Sequence, residues 1–162
     1  MGMNMQMILP YGMQAGDDAT RLVLGMTNVK TISEKVRWGN QLRGKFVVAD
    51  NDWSFGDQFE FNTWLQYELN KSVSLSSRLK FADQDKISGS NPMISAPVQT
   101  ANPENYGGSE MHFGLGVNFL AHILPGKADR FGLELVKPIR QEKNNLQMET
   151  DYQLTFGYQK AF

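Results

Sequence analysis

Apolar and polar residues alternate with period two along most of this chain, over stretches longer than an ordinary strand. That pattern leaves few folds open. From Val36 to Val48, one parity carries Val36, Trp38, Leu42, Phe46 and Val48, and the other carries Arg37, Gln41, Arg43 and Lys45. A strand turns successive side chains to opposite faces, so this stretch has one apolar face and one basic face. Phe59, Phe61, Leu65, Tyr67 and Leu69 oppose Glu60, Asn62, Trp64, Gln66 and Glu68 in the same way. Val73, Leu75, Leu79 and Phe81 oppose Arg78 and Lys80, and Met111 to Phe119 oppose Glu110 and His112. Phe131, Leu133, Leu135 and Ile139 oppose Arg130 and Glu134, and Met148 to Tyr158 oppose Glu149 and Asp151. Weaker alternation covers Met1–Met7 and Arg21–Met26. The reading is about eight strands of roughly nine to fourteen residues, where globular strands average about five or six. A tilted strand crosses a bilayer in ~9–11 residues.

Composition closes several alternatives. The chain has 162 residues, a single-domain length, and its formal net charge of −1 gives no support to a nucleic-acid partner. It has no cysteine, which excludes disulfides, thiol nucleophiles and thiolate metal sites. The two histidines cannot make a three-histidine metal centre. No apolar run reaches the ~18–20 residues of a membrane helix, and Met1–Leu9 lacks the basic start and apolar run of a secretory signal. Mean hydropathy alone would make the chain soluble.

The distribution of charge and glycine argues otherwise. The polar parity mixes both signs, as a face that pairs across an interior does. Gly25, Gly39, Gly114, Gly116, Gly132 and Gly157 all lie on it, where a concave wall needs room. The apolar parity is aromatic near strand ends, at Trp38, Phe46, Phe59, Tyr67, Phe81, Phe119 and Tyr158, as in interfacial girdles. Connections alternate between long and short. The longest is Gln84–Gly108, and Pro10–Asp18, Asn28–Ser33, Asp50–Phe55, Asn70–Lys71, His122–Lys127 and Arg140–Leu146 make up the rest. The expected fold is therefore an all-β, transmembrane, antiparallel up-and-down β-barrel, apolar outward and polar inward.

The closing stretch, Met148 to Phe162, resembles the last strand of outer-membrane barrels. It ends in an aromatic residue and carries a glycine, Gly157, five residues before it. Lys160 departs from the usual apolar residue there. Leu9–Gly16, Trp38–Gln41, Phe113–Phe119 and Leu146–Asp151 are similar to the outer-membrane transporter family associated with a MetA-type phenol-degradation pathway. Asp17–Thr20 stands where that family has a Ser-Gly-Thr run. The resemblance implies a Gram-negative outer-membrane location and contact with lipid and lipopolysaccharide. It also implies delivery by the barrel-assembly machinery, which reads Phe162, and passive transport of small-molecule cargo. Such segments follow further strands in that family, so residues 1–162 are expected to form a single barrel domain that is the C-terminal part of a larger one.

Other motifs carry less. Gly39–Lys45 fits a phosphate loop in spacing, but Phe46 replaces the required Ser or Thr and the motif lies in a strand. Gly114–Leu115–Gly116 lacks its third glycine and a following helix. Met1, Met3, Met5 and Met7 suit apolar filling better than Cu(I) ligation. Asp50–Asn51–Asp52 and Asp83–Gln84–Asp85 are oxygen-rich loops without a calcium-loop pattern. His112 has Glu110 nearby but no nucleophile, so no catalytic residue, metal site or cofactor is expected.

The expected interior lining is Arg37, Gln41, Arg43, Lys45, Glu60, Trp64, Glu68, Arg78, Lys80, Glu110, His112, Arg130, Glu134, Glu149 and Asp151. A basic strip from Arg37 to Lys80 would face Glu60 and Glu68, with Trp64 among them. The first reading is a channel or transporter. The alternatives are a small closed structural or surface-interaction barrel, a barrel enzyme, and a soluble lipocalin-like binder.

Overall fold

The structure, a computed structural model, describes residues 8–17, 19–94, 97–121 and 129–160. The Met1–Met7 strand, His122 and Phe162 of the sequence reading lie outside them. Nine strands follow in order: β1 (Thr20–Ser33), β2 (Val36–Ala49), β3 (Trp53–Ser54), β4 (Gln58–Glu68), β5 (Val73–Gln84), β6 (Ser88–Gly89), β7 (Gly108–Ala121), β8 (Asp129–Lys143) and β9 (Gln153–Lys160). Seven form one sheet in the order β1-β2-β4-β5-β7-β8-β9, every neighbour antiparallel, and β3 pairs with β6. The fold is all-β, and the large sheet curls into a half-barrel. Among the described residues no helix is long and apolar enough to cross a membrane.

Connections differ at the two ends. The turns at residues 34–35 and 69–72 lie at one end, the turn end. There Asn70 Oδ1 accepts from the N–H groups of Ser72 and Val73 (2.9 Å each) and closes the β4–β5 turn. Residues 50–57, 85–107 and 144–152, with the segment before β1, lie at the other. Two sequence expectations need correction. Asn28–Ser33 is not a connection but the second half of β1, paired with Val36–Asn40. Its polar residues conceal it, and pairing with an adjacent strand outweighs their low strand propensity. The closing strand begins at Gln153, not Met148. β9 pairs with β8 only from Asp129 to Val136, and Gln141 instead binds Thr150 N and O through its side chain (3.0 Å each). Glu149 and Asp151 therefore stand exposed in the β8–β9 connection, off the strand on which the sequence reading put them.

One parity of each strand stacks in register with its neighbours. Gly39, Trp64, Arg78 and Gly114 form one continuous row across β2, β4, β5 and β7. A bulge between Met111 and His112 leaves Ile139 unpaired, with Pro138 opposite His112. Pro138 lies beyond the part of β8 that β9 covers, where a missing N–H is tolerated.

The compact apolar core is not between sheet layers. It lies in the loops of the long-connection end, as a cap. Tyr11, Trp53, Ile87, Ile94 and Ala101 are buried there, packed by Ile8, Phe55 and Tyr106. The aromatic rings meet edge to face, Tyr11 on Trp53 with centroids 4.7 Å apart and Trp53 on Phe55 at 5.4 Å. Such pairs add ~0.5–1.5 kcal/mol beyond burial. Gly89, paired with Trp53, has φ +75°, and a Cβ there would run into the Asp52 carbonyl.

Candidate functional site

The polar parity forms the concave side of the sheet. Arg37 on β2 and Arg130 on β8 are four strand positions apart, ~19 Å along a flat sheet. Both nevertheless line a single cavity of about 340 Å³ at the turn end, with Gln66, Glu68, Lys71, Ser74 and Asn118. A second cavity, about 210 Å³, lies toward the cap, between Glu60, Glu110 and Lys143 and under Gly107 and Gln147 of the loops.

Ion pairs run across this face. Arg37 Nη2 is 2.9 Å from Glu68. Glu60 takes both Arg43 and Lys80, the latter at 2.8 Å. Glu110 joins Lys143 and the His112 ring, 2.8 Å from Nε2. Arg78 Nε lies 3.0 Å from Glu134, two strands away. That reach passes over β7 at Gly114 and Gly116, and a Cβ on Gly114 would sit 3.2 Å from the Glu134 carboxylate. Small residues here make room for long charged neighbours. Gly39 is the clearest case, since a Cβ there would fall inside the Trp64 ring. Gly39→Val is expected to cost about 1–3 kcal/mol by overpacking and to shift Trp64 emission, read in urea titrations beside the parent.

Of the fifteen residues singled out as lining, thirteen project from strands onto this concave face; Glu149 and Asp151 do not. Lys143, on β8 past the bulge, joins the face and was not anticipated, because the bulge reverses the parity read from Phe131 to Ile139. His112 Nε2 lies 2.8 Å from Glu110, and Lys80 and Pro138 stand opposite His112 on the neighbouring strands. Among the described residues no three carboxylates or histidines gather closely enough to hold a metal ion. Gly39–Lys45 lies wholly within β2, the wrong context for a phosphate loop.

The opposite, convex side is apolar, and among the described residues nothing packs over it. Trp38, Leu42, Phe46, Leu65, Leu115 and Phe156 are among its exposed side chains, and Leu115 is 57% exposed. Most of its aromatic residues fall into two rows. Phe46, Phe59, Phe61 and Phe81 lie toward the cap, Trp38, Tyr67, Phe119, Phe131 and Tyr158 lie toward the turns, and Phe113 and Phe156 lie between them. Phe131 stacks on Phe119 (5.0 Å) and contacts Tyr158 (5.1 Å), whose hydroxyl donates to buried Asp129 (2.8 Å). Trp38 donates from Nε1 to Thr63 Oγ1 (2.9 Å).

The cap is fastened to the sheet by charge. Arg21 on β1 forms a bidentate pair with Asp17, one arm at 2.7 Å. The two together hold Phe55, whose N–H donates to Asp17 (2.8 Å) and whose carbonyl accepts from Arg21 (3.0 Å). The Arg21 guanidinium holds the Asp17 carboxyl down at about 2, against the opposing effect of burial. Asn144, Asn145 and Gln147 donate to the carbonyls of Tyr106, Glu104 and Gly107 and tie the β8–β9 connection to the longest loop. The sequence reading missed this assembly. Its signal was four aromatic residues, Tyr11, Trp53, Phe55 and Tyr106, in segments otherwise read as polar loops.

Compared with protein families, with curated proteins and with solved structures, the chain finds no match.

Proposed function

We propose that the chain is part of an outer-membrane β-barrel that passes small molecules through a polar, charge-lined interior. The observation that carries this reading is the inverted sheet: concave and ion-paired on one side, convex, apolar and exposed on the other. A soluble monomer rarely exposes an apolar patch beyond ~300–600 Å², and here large apolar side chains stand 38–67% exposed from β1 to β9. Lipid removes that conflict. Trp38 to Phe46 on β2, and Phe59 to Tyr67 on β4, are nine residues each, eight steps along the strand. That is ~26 Å along the strand, or roughly 20 Å after a tilt of ~40°, close to the ~25 Å apolar band of such barrels.

Closure follows from direction. β1 and β9 both run from cap to turn end, so joining them directly would make a parallel pair. An all-antiparallel barrel needs an odd number of further strands between these edges, and a half-barrel of seven needs about as many again. A barrel of that size has an open interior, whereas eight strands would be filled by side chains. The resemblance to the phenol-pathway transporter family supports transport, and lipid, lipopolysaccharide and the assembly machinery are the partners this reading implies.

The test is conductance in planar bilayers, for this chain and for the full product of its gene. Discrete steps are expected from the full product. Efficient bilayer insertion without steps from either would favour the second reading, a structural barrel, for which the packed cap is the supporting feature.

A further inference from the structure

We propose that the concave face concentrates small anions, so that the path along it favours anionic over cationic solutes. This extends the channel reading by naming a class of solute. The sequence reading set six cations against six carboxylates on this face. The structure changes that balance, because Glu149 and Asp151 leave the face and Lys143 joins it. Four carboxylates remain: Glu60, Glu68, Glu110 and Glu134. Each already holds at least one cation, and Glu60 holds two. Among the described residues Lys45 and Arg130, also on this face, have no carboxylate within ion-pair distance. Arg21 is neutralised in the cap by Asp17.

The excess is concentrated at the turn-end cavity. Arg37, Lys71 and Arg130 line it against one carboxylate, Glu68, which Arg37 already engages. Asn118, Ser72 and Ser74 add neutral hydrogen-bonding groups. The acids that give the whole chain its net charge of −1 lie elsewhere. Asp83, Asp129 and Glu142 are on the convex parity, Glu34 is in the β1–β2 turn outside the cavity lining, and the other described acids are in the cap-end loops. Trp64, midway along β4, is six residues from the cap end of its strand, ~20 Å. That exceeds the ~8–10 Å screening length at moderate salt, so the loop acids act weakly there. A concave wall with unbalanced charge raises the local concentration of counter-ions by focusing its field.

Trp64 reports this directly, because Trp38 is on the convex side and Trp53 is in the cap core. The experiment measures fluorescence quenching by iodide and by caesium in the refolded chain carrying Trp38→Phe and Trp53→Phe, at ~0.1 M ionic strength, where acids ~20 Å away are screened. A local potential of one kT changes the iodide-to-caesium ratio about sevenfold. The expected ratio is at least about threefold above that of a free tryptophan analogue in the same buffer. It should fall toward that reference in Arg37→Gln, whose strand partner Gln66 is two residues from Trp64, and in ~1 M salt. A ratio at or below the reference overturns the proposal. Because Trp53→Phe touches the cap core, the parent and Trp64→Phe are measured as a second pair, their difference giving the same ratio. Flotation with vesicles is scored separately: failure to float counts against the channel, while the quenching ratio still decides the anion claim.

Discussion

Leu115→Arg is expected to destabilise the chain by about 2–4 kcal/mol when it is folded in lipid vesicles. Leu115 lies mid-strand on β7, opposite Ser77 and Leu135, on the convex side between the two aromatic rows. It is 57% exposed among the described residues. In water an exposed Leu→Arg change falls within about ±0.5 kcal/mol. At a bilayer midplane the same change buries a guanidinium in hydrocarbon. The environment alone therefore decides the size of the effect. Arginine placed at Phe46 or Tyr67, in the aromatic rows, should cost about 0–1 kcal/mol, because a long cation near the interface reaches the headgroups. Denaturant titration from vesicles, with the three variants side by side, reads this depth profile. Equal small effects at all three sites would mean that the convex face meets water.

The second large effect lies in the cap. Asp17→Asn removes the charge that Arg21 and the Phe55 amide share in a buried setting, with the side chains 6% and 13% exposed. Breaking one side of such a pair costs on the order of 3 kcal/mol. Part of that cost is pH-linked. The Asp17 carboxyl titrates at about 2 in the folded chain against 3.8 in its ordinary state. A depressed carboxyl stabilises the fold above its unfolded value, and this contribution is lost as pH falls through the folded one. The cap should therefore be insensitive to pH above about 5 and lose about 2 kcal/mol between roughly pH 4 and 2. Trp53 fluorescence during denaturation at a series of pH values reads it. Asp17→Asn should lower the parent's plateau and flatten the acid limb. A parent and variant that fall in parallel from pH 4 to 2 would show that the pair does not fasten the cap.

Much of the sheet was legible from residue pattern alone. Seven of the expected strands appear, in order and in meander, because period two over ten or more residues specifies both conformation and facing. The sequence set Glu60 and Glu68 against the basic residues of β2 and β5, and the structure supplies the register, in which Arg43 faces Glu60 and Trp64 faces Gly39. What the pattern did not carry was decided by contacts between distant segments. The end of β1 is polar and is a strand only because β2 pairs with it. Met148–Tyr152 alternates well and is not a strand, because that part of β8 has no partner there. The bulge at Ile139 shifts Lys143 onto the concave face, and no local signal marks it except Pro138. The cap gathers single aromatic residues from loops up to ~90 positions apart, which periodicity does not detect.

The most direct single measurement is the quenching of Trp38 by lipids brominated at defined depths along their acyl chains. It uses a variant in which Trp53 and Trp64 are phenylalanine. Trp38 lies in the turn-end aromatic row on the convex face, 40% exposed. An interfacial ring is quenched most by bromines near the headgroup and less by those near the bilayer centre. That profile is the expected result. No quenching at any depth, from a chain shown to be folded by its Trp53 and Trp64 fluorescence in the parent, would contradict a lipid-facing sheet.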